Sequence, residues 1–151
     1  MTGQEFRKGL FGALKQHGFA RHGSLMRLPG DAVVTLIGVQ KGFGQQRFVN
    51  VGFWLKQLGG DEPGRIEHSH MYFRLERLFP QHREFILWAG DLAAEGQLSA
   101  YHEFLKLLVD EIVGGLKQLG TAEGLVDAYH VGRLTQGLVT KAARDLLAGT
   151  T

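Results

Sequence analysis

Two segments of this chain carry side chains suited to holding a ligand, and they do so on one parity of an extended backbone. In Arg47-Phe-Val-Asn-Val-Gly-Phe-Trp-Leu55, Phe48, Asn50, Gly52 and Trp54 alternate with the apolar Val49, Val51, Phe53 and Leu55. In Glu67-His-Ser-His-Met-Tyr-Phe-Arg-Leu75, His68, His70, Tyr72 and Arg74 oppose Met71, Phe73 and Leu75. With Gln40 from the preceding segment, Asn50, Trp54, His70, Tyr72 and Arg74 compose a concave polar site. The guanidinium is a fork for carboxylate or phosphate, the carboxamides fix orientation, and the rings offer a flat wall to a ring or a peptide. Gln40 joins the set only if the hairpin register turns it to that face, since a slip of one residue sends it to the core. Two outcomes fit such a set: an open binding site, or a cluster whose members satisfy one another beneath covering helices.

Other constellations are weaker. His68 and His70, two apart on a strand, would share a face and could chelate a metal with a third ligand from His82, His102 or Glu67. A metal centre ordinarily shows a full ligand set at telling intervals, and here there is a pair. The expectation is no metal and no cofactor, with His68 toward solvent or a loop end and His70 bonded to a backbone carbonyl or to Glu76. Gly42-Phe-Gly44 lacks the Lys-Ser or Lys-Thr ending of a phosphate loop and reads as a hairpin loop with Phe43 at its tip. Ser24 has no nucleophile elbow around it. Trp88 reads as a core or interface aromatic.

The elements that must position these residues follow from periodicity. Thr2-Gly-Gln-Glu5 has capping-box spacing, and Phe6, Leu10, Ala13 and Leu14 recur at helical intervals before Gly18, which predicts a helix over about residues 3 to 17. Ser24 to Leu28 and Ala32 to Gln40 read as strands joined by Pro29-Gly-Asp31, the second apolar on both faces and therefore central. With the two diagnostic strands they form an antiparallel meander of about four strands. Beyond Leu78 the pattern turns helical. Ser99 is the expected N-cap of a helix over about 100 to 119, with Leu105, Leu108, Val109, Ile112, Val113 and Leu116 as its apolar stripe. A shorter helix follows Thr121, and a last one after Thr135 carries Leu138, Val139, Ala142, Leu146 and Leu147. The fold class is α+β, in one domain over residues 1–151, with the sheet packed against an N-terminal helix and C-terminal helices.

Composition bounds the function. The chain has 151 residues, 44% hydrophobic and 21% charged, as soluble globular domains do. No apolar run approaches the roughly 20 residues that a bilayer requires. Charged residues appear before any apolar stretch at the N-terminus, unlike a secretory signal, so a cytoplasmic location is expected. The absence of cysteine excludes disulfides and thiolate catalysis. The net charge is only +2, and Arg65, Arg74, Arg77 and Arg83 are interleaved with Glu67, Glu76 and Glu84, which is not the pattern of a nucleic-acid groove.

The order of features resembles a bacterial family called domain of unknown function 4304: helix-Gly18-Phe19, then Gln40-Lys41, then Arg47 to Lys56, then His70-Met-Tyr-Phe-Arg-Leu-Glu-Arg77. The resemblance runs from Glu5 to Leu78. It departs from the family pattern at Gly42, where a small hydroxyl residue is usual, and at Tyr72, where a second basic residue is usual. It implies a compact α+β domain without an established activity, of a kind discussed near toxin–immunity loci, and it supplies no catalytic residues. The expected function is non-catalytic binding of a protein partner, in the manner of an immunity protein. The alternative is an enzyme handling a small molecule or phosphate, with His70 as acid/base and Arg74 as anion clamp.

Overall fold

The computed structural model describes residues 1–149, and Thr150 and Thr151 lie outside the described residues. Helix α1 spans Gly3–Lys15 and begins on the expected capping box: Thr2 Oγ1 accepts the Glu5 amide at 3.1 Å and Glu5 Oε1 accepts the Thr2 amide at 3.0 Å. Its Phe6, Leu10, Phe11 and Leu14 are buried. Six antiparallel strands follow in sequential order: β1 (Ala20–His22), β2 (Leu25–Pro29), β3 (Val33–Lys41), β4 (Arg47–Leu55), β5 (Met71–Arg74) and β6 (Leu138–Val139). The centre is the β3–β4 hairpin, paired without interruption from Val33↔Leu55 to Lys41↔Arg47. Asn50↔Arg74 through Phe53↔Met71 add β5 to it.

The inner face is the one expected. Val49, Val51, Phe53, Leu55, Met71 and Phe73 are all buried, packed beneath α1 and the helices that follow β5. Those helices are α2 (Leu75–Leu78), α3 (Arg83–Gly90), α4 (Gln97–Leu107), α5 (Val113–Leu119), α6 (Ala122–His130) and α7 (Lys141–Ala148). Among the described residues no helix is long and apolar enough to cross a membrane.

Six strands rather than four correct the expected meander, and each addition has a cause. β1 is three exposed residues with no apolar alternation; it exists because Gly23, at φ 60°, turns the chain back onto β2. Leu138 and Val139, expected in the last helix, pair instead with Tyr72 and Met71. The Thr140 amide reaches His70 O at 2.9 Å, and Thr140, not Thr135, caps α7 through the Ala143 amide at 3.3 Å. The strand expected over 67–75 is shorter, because Ile66–His68 is a 3-10 turn and Leu75 already opens α2. The long helix begins at Gln97, two residues before Ser99, and carries a π segment at Leu108–Ile112. The wider turn rotates the apolar stripe, so Leu108, Ile112, Val113 and Leu116 are buried while Val109 is 37% exposed.

Parity on β4 yields a direct test. Val51 is 0% exposed and faces Ile37 and Phe73 across the sheet. Val51→Asp places an unpaired carboxylate there at a cost of several kcal/mol, against a total stability of roughly 5–15 kcal/mol. Thermal unfolding should show the variant unfolded or nearly so, and an unchanged Tm would mean that the faces are reversed.

Candidate functional site

The outer face of the sheet carries the polar residues, and the register settles where each lies. Gln40 pairs with Phe48 and Gly38 with Asn50, so Gln40 and Asn50 are diagonal neighbours on that face, and Asn50 Nδ2 donates to Gln40 Oε1 at 2.8 Å. Arg74 is the direct cross-strand partner of Asn50, and Tyr72 is that of Gly52. Trp54 and His70 continue the same face one step further, with rings stacked at 3.8 Å and 14°. All six expected residues therefore share one face.

They do not form one site. The connection from β4 to β5, residues 56 to 70, folds back across the outer face and seats Ile66 there. Ile66 packs with Leu25, Val34 and Leu36, and with Trp54 and Tyr72 at the margin. The seat exists because Gly52 has no side chain: a Cβ there would collide with Ser69 Oγ and stand 3.1 Å from Ile66 Cδ1. Glu62 fastens the connection to β2 by a two-pronged ion pair with Arg27, at 2.6 and 2.8 Å, and the guanidinium holds the Glu62 carboxyl below its ordinary range.

On one side of this seat lie Trp54 and His70. His70 Nδ1 accepts the Leu55 amide at 2.8 Å, which places the ring proton on Nε2 when the ring is neutral. This corrects the expected partner, a carbonyl or Glu76. Glu76 is itself buried at 3% exposure, its Oε2 has no hydrogen-bond partner among the described residues, and burial pushes its carboxyl up. Burial lowers the His70 pKa. His68 sits exposed in the 3-10 turn, so the two histidines do not share a strand face, and no cluster of three metal-ligating side chains occurs among the described residues.

On the other side Gln40, Asn50 and Tyr72 floor an open groove. It widens into a hollow of about 340 Å³, bordered by Arg7, Arg65 and Glu67, and into another of about 660 Å³, bordered by Arg74, Arg77 and residues 135–139. The Arg74 guanidinium lies 3.7 Å over the Phe48 ring and has no ion-pair partner among the described residues. Arg7, Arg65 and Arg77 were not expected in the site. Arg7 comes from α1, and Arg65 from the folded-back connection, so no spacing in the sequence marks them. Residues 135–139 form a wall only because β6 is a strand.

Two measurements test these assignments. Because the folded-state pKa of His70 is lowered, the unfolded chain takes up this proton first; stability is unaffected above about pH 6.5 and falls as the pH drops below it. His70→Asn offers Oδ1 to the same amide without titrating, so Tm should decline less between about pH 7 and pH 5 than in the native protein. Parallel Tm curves would remove the assignment. Arg74→Ala gives up a cation–π contact worth about 0.5–2 kcal/mol and breaks no ion pair, and Arg77 and Arg83 still act on the buried Glu76, so its Tm should stay far above that of Val51→Asp. An equally severe loss would make this face part of the structural core.

No curated protein and no solved structure matches the chain. A family model does, over residues 11–117, from within α1 to within α5, which takes in strands β1 to β5 and the whole floor of the groove. The chain accordingly belongs to the family described as domain of unknown function (DUF4304).

Proposed function

We propose that this protein is a non-catalytic binding domain, acting in the cytoplasm, that takes a protein partner in the manner of an immunity protein and uses the outer-face groove to do so. The observation that carries the reading is the open Gln40–Asn50–Tyr72 floor beside an Arg74 guanidinium that has no ion-pair partner among the described residues. Asn50 and Gln40 spend one donor and one acceptor on each other. Whichever way the two carboxamides are turned, one amide NH₂ and one carbonyl oxygen remain for a ligand. That donor and acceptor pair suits a peptide group, and the surrounding arginines suit carboxylates.

The enzyme reading fares worse on geometry. His70 and Arg74 are four residues apart on one strand face, about 13 Å, with Tyr72 between them. His70 Nδ1 is committed to the Leu55 amide, the ring is stacked on Trp54, and His70 borders neither hollow. An acid/base group and an anion clamp must reach the same reacting group.

A photo-crosslinking amino acid at Tyr72, introduced in producing cells, is the test. The expected result is one discrete adduct with a single protein, lost when Arg74→Glu and Arg77→Glu are added. Adducts no different from those formed by the same probe at the exposed Glu123 would overturn the reading.

A further inference from the structure

The sheet is incomplete beside the groove. β2 pairs with β3 only as far as Met26↔Ile37, whereas β3 continues to Lys41 with β4 as its partner throughout. The last residues of β3, Val39 to Lys41, therefore present one backbone edge to which no described residue is bonded as a strand. An unpaired edge is a template for another chain.

What surrounds this edge is mostly of one sign. The hollow of about 340 Å³ on the outer face meets a second hollow of about 420 Å³ at Arg7 and Val39, and the second is bordered by Arg7, Lys41 and Arg47. With Arg65 this makes four cations along the edge. The acid among the lining residues is Glu67, which stands 4.0 Å from Arg65 in an exposed and weak pair. The side chains of Arg7 and Lys41 have no hydrogen-bond or ion-pair partner among the described residues. A flanking lysine is a device that discourages a sheet from pairing with a basic or neutral strand. The same charge welcomes an acidic one.

We infer that the groove takes an extended acidic segment of a partner chain, added as a strand to the free edge of β3 at Val39 to Lys41. This rests on the groove being the binding site and names what enters it. A strand laid along that edge extends the sheet past the end of β2 and turns alternate side chains to its two faces. By parity with β3, one set lies over Gln40, Asn50 and Tyr72 near Arg65, and the other meets Lys41 and Arg47 at the rim beside α1. Main-chain hydrogen bonds supply affinity independent of sequence, and acidic residues at alternate positions supply the discrimination.

The test uses the full chain labelled with ¹⁵N and three probes: an N-acetylated, C-amidated Glu-Val-Glu-Val-Glu-Val peptide, its Lys-for-Glu counterpart, and free glutamate at matched carboxylate concentration. The acidic peptide should shift the backbone amides of Val39 and Lys41, which face the free edge while that of Gln40 faces β4, saturably and slow their hydrogen exchange. The basic peptide and free glutamate should not. Arg7→Glu combined with Lys41→Glu should weaken binding at least tenfold while the melting curve stays close to that of the native protein, and Lys41→Glu alone should weaken it in the same direction. If free glutamate reproduces the shifts, or if the peptide moves only Arg74, Arg77 and the Asn50 side chain, strand addition is overturned and the groove survives as an anion pocket. If the peptide moves nothing in the groove, strand addition is again overturned. The crosslinking measurement at Tyr72, which uses no peptide, still judges the groove itself.

Discussion

A missing side chain organises the outer face of this sheet. At Gly52 the backbone of β4 is bare, and the space holds Ile66 and Ser69 from the connection that crosses the face. Burying Ile66 against Leu25, Val34 and Leu36 contributes about 1.5–3 kcal/mol, enough to hold a crossing segment whose far part is pinned by Arg27 and Glu62. The seat also partitions the polar residues. Trp54 and His70 are closed into a stack whose imidazole serves the backbone of β4, while Gln40, Asn50, Tyr72 and Arg74 stay at an open groove. With a side chain at position 52, Ser69 and Ile66 would have to shift, and the partition would be disturbed with them.

The two faces of the sheet stabilise the molecule by different means. Inside, Val51, Phe53, Met71 and Phe73 are apolar and fully packed, so their contribution is burial. Outside, Asn50 is also nearly buried, at 4% exposure, yet its carboxamide has a partner in Gln40 and its removal from water is offset. Among the described residues Ser69 Oγ and Glu76 Oε2 are the exceptions, since neither has such a partner, and burial pushes the Glu76 carboxyl up. The neighbouring Arg74, Arg77 and Arg83 pull the other way without cancelling that cost.

Legibility in the sequence tracked the range of the interaction responsible. The alternation in 47–55 and 71–74 is local, and the faces it dictates are those observed. The capping box at Thr2 is equally local. Gln40 depended on the hairpin register, which the 42–46 loop sets and no single residue declares. Arg7 and Arg65 reach the groove through tertiary packing alone. The start of the last helix, expected after Thr135 but lying after Thr140, has a physical reason as well: Leu138 and Val139 are apolar at helical spacing from Leu146, and only the neighbouring β5 edge makes them extended. The π segment at Leu108–Ile112 is likewise a departure from the period on which helix reading relies.

The floor and the far wall of the groove answer to different constraints. The floor is β3, β4 and β5, where Gln40, Asn50 and Tyr72 stand on a register that also fixes the core, so a change there that shifts pairing disturbs both faces at once. The wall at 135–139 lies beyond the stretch matched by the family model. It is held by a few separate ties: Arg77 to Gln136 O at 3.2 Å, Arg133 to Leu78 O at 2.9 Å, and the two pairs of β6. Gly137 lets it lie directly on the core, since a Cβ there would run into the Phe73 ring. Substitutions in this wall can therefore reshape the larger hollow without touching the β3–β4 register. The chemistry of the floor is bound to the fold, whereas the shape of what fits above it is free to differ between chains that share that fold.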